Sequence, residues 1–260
     1  MSKILVAFDL YGTLLSTESI AKELANHFGE EQANSIAAVW RKYQLEYTWR
    51  LNSMSRYCPQ KAVSIRESRT DSFPEQYQPF STITRSSLQH ALLELSVSLD
   101  QPSIDSLMHA YDSLSMFPDV EPALKMLSSN DSIDCVVFSN GTREMVSNSV
   151  NKSPDLSPHA SIFKKLVSVD FIQSFKPMPE VYKYLAQTMD MAGQEDQMWL
   201  VSGNPFDVSG ARAVGMQAAW VDRAGKGWQD KLSLEPTVVV RSLEQIAIVI
   251  EEHARKTLQQ

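Results

Sequence analysis

The sequence predicts an α/β fold: a Rossmann-like, mainly parallel sheet core with an inserted all-helical cap. Three observations carry this. Short apolar runs of strand length alternate with helical periodicity through the second half of the chain. A block from residue 16 to about 100 shows helical patterning only. Polar residues stand at several strand ends, which is where open parallel sheets place their chemistry. Repeated βα units require a sheet covered on both faces. The expected division is a core of residues 1–15 and 101–260 and a cap of residues 16–100, with a long loop near 57–79.

Ile4-Leu5-Val6-Ala7-Phe8 is too short and apolar for an exposed helix and reads as a buried strand. Ile20, Leu24 and Phe28 then recur at helical spacing, with Ser16 or Thr17 as N-cap and Gly29 as stop. Ile36, Trp40, Tyr43 and Tyr47 stripe a second helix from Glu31 to Ser55. Periodicity fails from Cys58 to Gln78, among Pro59, Pro74 and Pro79, and returns over Ser86–Leu95 and Pro102–Leu114. After Pro118 come a helix at Asp119–Leu127 and a strand at Cys135–Phe138, then strands at Leu166–Val169, Met198–Val201, Ala218–Val221 and Val238–Val240. Helices fall between them, and Leu243–Ile250 closes the chain.

The chain has 260 residues, 43% of them hydrophobic, enough for a large core. A formal charge of −7 argues against nucleic acid as a partner, though local cations still allow a small anionic substrate. The two cysteines, Cys58 and Cys135, have neither metal nor disulfide spacing. No apolar run approaches membrane-spanning length and no signal segment precedes the first strand, so the expectation is a cytoplasmic protein without a membrane partner.

Four strand ends carry the candidate chemistry: Asp9; Ser139 with Asn140; Lys176; and Ser202, Asn204 and Asp207. In a parallel sheet these ends share one edge, so residues far apart in sequence converge. Each has a local alternative. Ser139 and Asn140 suit a turn, Lys176 a solvated surface and Asp207 a helix N-terminus. Four such coincidences together favour a site.

Phe8-Asp9-x-Tyr11-Gly12-Thr13-Leu14 resembles the first motif of the haloacid dehalogenase superfamily. Trp40-Arg41, Gln44-Leu45-Glu46-Tyr47-Thr48-Trp49, Phe117-Pro118-Asp119-Val120, Ser139-Asn140-Gly141, Phe175-Lys176-Pro177 with Val181-Tyr182, and Ser202-Gly203-Asn204 with Asp207 and Gly210-Ala211 narrow the resemblance to the (S)-2-haloacid dehalogenases. That resemblance implies hydrolysis of a short 2-haloacid through an aspartyl ester. Asp9 would be the nucleophile, with Lys176 as the neighbouring cation. Thr13 and Tyr182 would orient Asp9 and Lys176. Ser139, Asn140 and the Leu10 backbone N–H would hold the substrate carboxylate. Arg41 with Asn140 would receive the halide. Asp207, oriented with Ser202 and Asn204, would position or deprotonate the water. Leu45, Phe80, Tyr11 and Phe206 would line the pocket.

Tyr11 narrows the choice. Phosphatase relatives carry a second acid there to protonate a leaving oxygen, and a halide needs no proton. The fourth motif offers Asn204, Pro205, Phe206 and only Asp207, poor in the carboxylates a hard Mg²⁺ demands, so the resemblance implies neither metal nor cofactor. Alternatives stay open: an Mg²⁺-dependent phosphatase or a silent binding protein on this fold, Arg41 paired with a surface Glu, Tyr182 as helix core, and Leu45 and Phe80 as ordinary cap packing. The segment 56–76 is longer than in compact bacterial relatives, Phe206 stands where they carry Trp, and Gly203 where they carry Ser. The cap aromatics would suit a homodimer.

Overall fold

The computed structural model describes residues 3–55, 77–232 and 234–257. The strands are β1 (Ile4–Phe8), β2 (Ile133–Ser139), β3 (Phe163–Ser168), β4 (Met198–Ser202), β5 (Gln217–Val221) and β6 (Val238–Val240). The helices are α1 (Ala21–Phe28), α2 (Glu30–Ser55), α3 (Phe80–Glu94), α4 (Gln101–Ala110), α5 (Val120–Ser128), α6 (Arg143–Asn151), α7 (Pro179–Thr188), α8 (Pro205–Ala213) and α9 (Ile246–Thr257). The expected loop near 57–79 and Cys58 lie almost wholly outside the described residues.

All six strands are parallel, in the order β3-β2-β1-β4-β5-β6. β1, β2, β4 and β5 are buried along nearly their whole length, as a sheet with helices on both faces requires. Strand order reverses between β1 and β4, and at such a switch point the loops diverge and leave a crevice at the carboxyl ends. Asp9 stands there: its N–H donates to Val201 O at 3.0 Å, extending the β1–β4 ladder by one residue before the chain turns away.

Every described element between β1 and β2 is helical. Gly29, at φ +75°, ends α1 in a conformation that favours glycine. α2 packs along α1 and α3. Trp40 Nε1 donates to Thr84 O at 2.8 Å, which fixes the α2–α3 crossing. α3 begins at Phe80, six residues before the expected start at Ser86: Thr84 and Ser87 return their hydroxyls to backbone carbonyls and are buried, so polar residues that blur an apolar stripe are absorbed by the helix. α4 starts one residue before Pro102, with Asp100 accepting from Ser103 N as its N-cap, and packs on α1 and α3. α5 starts after Asp119, whose carboxylate makes no cap bond to the helix, β2 runs to Ser139, and β3 begins earlier than expected, at Phe163. Lys164 and Lys165 hide β3 from an apolar scan because it is the sheet's edge.

Candidate active site

Asp9 lies at the end of β1 and is 6% exposed. Its carboxylate accepts from four side chains. Oδ2 takes Thr13 Oγ1 at 2.7 Å, Asn204 Nδ2 at 2.8 Å and Ser202 Oγ at 3.5 Å. Among the described residues Oδ1 takes only Lys176 Nζ, at 3.0 Å. One oxygen is therefore clamped, and the other keeps a lone pair free on the side away from the clamp.

Lys176 is 1% exposed. Its ammonium also donates to Asp207 Oδ2 at 2.8 Å and Phe138 O at 2.8 Å, which accounts for all three of its protons. It lies 4.2 Å from the centroid of the Phe138 ring. Burial alone would lower its pKa, but the charges of Asp207 and Asp9 outweigh that and hold it above the ordinary lysine value. The segment is pinned from both sides. Lys176 N donates to Asn140 Oδ1 at 2.9 Å, and Asn52 of α2 exchanges two bonds with the Phe175 backbone, at 2.8 and 3.0 Å.

Asp207 opens α8 and is fully buried. Burial pushes its carboxyl up to about 6, with Lys176 opposing and Asp9 assisting that rise. Tyr182 OH donates to its Oδ1 at 2.8 Å. The expectation that Tyr182 orients Lys176 directly is thereby corrected: the phenol reaches Asp207 and acts on the lysine only through it. Gly210 is the reason, since a Cβ there would stand 2.3 Å from the Tyr182 hydroxyl. The expectation that Ser202 and Asn204 orient Asp207 is corrected too, because both side chains turn to Asp9. Their place before α8 aims them at the strand end, while Asp207 faces inward from the first turn.

Thr13 Oγ1 accepts from Gly203 N at 2.9 Å while donating to Asp9, so the first and fourth motifs interlock. Gly203 matters for that contact: a Cβ there would lie 2.5 Å from Gly12 O. Ser139 Oγ accepts from Gly141 N at 3.1 Å, leaving its proton for another acceptor. Leu10 and Tyr11 are buried beside the nucleophile. Tyr11 stacks on Phe80 at 6.0 Å, and its hydroxyl pairs with Ser149 at 3.3 Å. Burial pushes that phenol far up.

From the cap side, Arg41 Nη2 donates to Tyr11 O at 3.3 Å and Asn204 Oδ1 at 3.2 Å, and Nη1 to Gln44 Oε1 at 2.7 Å. Among the described residues it has no carboxylate within 4.0 Å, so the surface-pair alternative fails. Leu45 is half-buried one turn further along α2, and Trp49 meets Phe206 edge-on at 5.6 Å. Arg41, Leu45, Trp49 and Asn52 thus run along the α2 face turned to the sheet.

Two participants had no role assigned from the sequence, although Gln44 stands in one of the motifs that carry the resemblance. Gln44 is a buried polar residue three positions after Arg41, and that helical spacing was the available signal. Arg223 follows β5, where the strand-end rule applies as it does to the others. It donates to Thr13 O at 2.9 Å and grips both oxygens of Asp119. Among the described residues no group of three His, Cys, Asp or Glu side chains is placed to hold a metal ion, and no helix is long and apolar enough to cross a membrane.

A family model for haloacid dehalogenase-like hydrolases matches residues 5–215. An (S)-2-haloacid dehalogenase of Pseudomonas putida is 31% identical, over 93% of this chain and 95% of its own length. A haloacetate dehalogenase of Moraxella sp. (strain B) is 29% identical, over 94% and 96%. Among solved structures, an L-2-haloacid dehalogenase at 25% identity superposes with a TM-score of 0.79, covering 96% of this chain and all of that one.

Proposed function

The chain belongs to the haloacid dehalogenase-like hydrolases, and from that premise we propose that it hydrolyses short (S)-2-haloacids to 2-hydroxyacids and halide through an ester on Asp9. The observation that carries this is the asymmetry of the Asp9 carboxylate. Three donors fix Oδ2, and Oδ1, steadied among the described residues by Lys176 alone, is left to react.

Oδ1 attacks C2 from the side opposite the halogen. The Oδ1–C2 bond forms, the C2–halogen bond breaks with its electron pair leaving on halide, and C2 inverts. Arg41 supplies the positive charge facing the departing anion, with Asn140. Ser139, Asn140 and the Leu10 N–H receive the substrate carboxylate. Water then adds to Cγ of Asp9 while Asp207 takes its proton. The Cγ–Oδ1 bond breaks, Oδ1 leaves in the hydroxyacid with the second proton of the water, Asp207 releases the first to solvent, and the water oxygen stays in the Asp9 carboxylate. Tyr182 and Lys176 hold Asp207 for that step.

Tyr11 and Phe80 form the apolar wall, with Leu45 and Phe206 closing it from α2 and α8. Residues 16–100 act as the cap that carries Arg41 over the core of residues 1–15 and 101–260. The substrate is a small anion, and the protein works in the cytoplasm.

The test is turnover of (S)-2-chloropropionate in ¹⁸O-water, reading free halide and the mass of the Asp9 peptide. The expected result is stoichiometric chloride with label in Asp9. Chloride without label would refute the ester, and no halide from any 2-haloacid would remove the function.

A further inference from the structure

We propose that Gln44 is a positioning residue for Arg41, holding the guanidinium in place for the departing halide with an oxygen that bears no charge; this rests on the halide role given to Arg41 above. Gln44 is fully buried. Its Oε1 accepts from Arg41 Nη1 at 2.7 Å and from the Tyr111 hydroxyl at 3.1 Å. Its Nε2 donates to Thr84 Oγ1 at 2.8 Å.

The orientation of this amide is dictated from α3. Thr84 has one hydroxyl proton, and it goes to Phe80 O at 2.7 Å. Towards Gln44 the hydroxyl therefore presents a lone pair, and only the NH₂ end of the amide satisfies it. The oxygen end must then face Arg41 and Tyr111, both of which donate. Trp40, donating to Thr84 O at 2.8 Å, holds α3 where this relay works.

The lack of charge matters as much as the direction. Among the described residues every acceptor on Arg41 is neutral: Gln44 Oε1, Tyr11 O and Asn204 Oδ1, with the Tyr111 hydroxyl beside it kept protonated by burial. Neutral oxygens orient a guanidinium without cancelling its field. A carboxylate at position 44 would occupy the same place, draw Arg41 into an ion pair and compete with the halide. A residue with glutamate's shape but no charge is what the task requires.

Two readouts respond to this and not to general packing: the inhibition constant of bromide, and the ratio of ester-formation rates for (S)-2-bromopropionate over (S)-2-chloropropionate. Chloride is the poorer leaving group and depends more on stabilisation. Gln44→Glu is expected to weaken bromide inhibition by roughly tenfold or more and to widen the bromo/chloro ratio. Thr84→Ala, which leaves Arg41 untouched but removes the peg that orients Gln44, should shift both in the same direction by a smaller factor, and Thr84→Ser should restore them. Arg41→Ala is the control. If it moves neither readout, the halide role of Arg41 falls and the proposal with it. If it moves both while Gln44→Glu, folded with an unchanged unfolding midpoint, moves neither, the positioning proposal alone falls. Should Gln44→Glu not fold, the Thr84→Ala and Thr84→Ser pair decides: identical behaviour of the two would overturn the proposal.

Discussion

The Lys176 ammonium is shared by two buried carboxylates, and the sharing sets a task for each. Asp9, held also by Thr13, Asn204 and Ser202, is on one side of the bridge, and Asp207 sits on the other with its carboxyl pushed up to about 6 by burial. A base with that pKa is ionised at neutral pH yet basic enough to take a proton from water. Ester hydrolysis should therefore fall on the acid side of about pH 6, while ester formation should not follow that limb; single-turnover rates across pH 4.5–8, taken as roughly the range that brackets such a carboxylate, separate the two. Asp207→Asn should leave the first step and stop the second, so that the Asp9 peptide carries the mass of the ester. The stability consequence has the opposite sign to an ordinary salt-bridged acid. The folded state binds this proton more tightly than the unfolded chain, so the Asp207 contribution declines as pH rises from 3.8 through about 6. Lys176, held above 10.5, contributes fully below that value and loses its contribution only in alkali. Lys176→Met keeps the volume and removes the charge; it should abolish turnover and cost about 3–5 kcal/mol in denaturant unfolding, the scale for stripping one partner from a buried ion pair.

At the scale of elements, α2 is what brings cap and core into one site. Asn52 clamps the Phe175 backbone and Arg41 reaches Asn204 at the other end of the same face. Asn52→Ala leaves the buried N–H of Phe175 without its partner, while the C=O keeps Met178 N at 3.0 Å; the loss is worth about 1–3 kcal/mol. Because Lys176 follows directly, kcat should drop with stability, and a loss of stability at unchanged kcat would show that the clamp does not locate the lysine. The strand ends were legible because a buried apolar run that stops at a polar residue is a local pattern: Asp9, Ser139 and Ser202 all announce themselves that way. The partners of those residues were not. That Tyr182 seeks Asp207 and not Lys176 depends on Gly210 lacking a Cβ one helix away, and no local spacing encodes that. β3 was read short because an edge strand carries lysines, and α3 was read short because its buried hydroxyls satisfy themselves within the helix.

Across the whole molecule, the parallel order β3-β2-β1-β4-β5-β6 places the nucleophile at the reversal between β1 and β4; the parallel sheet with its chemistry at one edge followed from the alternation of strands and helices, the order of the strands did not. What did not follow is how the far edge of the sheet supports the site. Arg223, at the end of β5, grips Asp119 before α5 at 2.9–3.1 Å and donates to Thr13 O at 2.9 Å. Asp119 also accepts from Leu243 N at 2.9 Å ahead of α9. One ion pair thereby ties the nucleophile loop, α5 and the C-terminal helix together, and Phe117 covers the guanidinium at 3.9 Å. Arg223→Met should loosen all three at once. The expected result is a fall in unfolding free energy of about 2–4 kcal/mol, since Asp119 and the Thr13 carbonyl lose a shared donor in a half-buried setting. The rate should fall too, because Thr13 holds the clamped oxygen of Asp9. The exposed Lys125–Glu121 pair on α5 is the comparison, and Lys125→Met should leave both stability and rate near those of the native protein. Equal effects of the two substitutions would mean that the Arg223 pair is ordinary surface charge, and a loss of stability without loss of rate would separate it from Thr13.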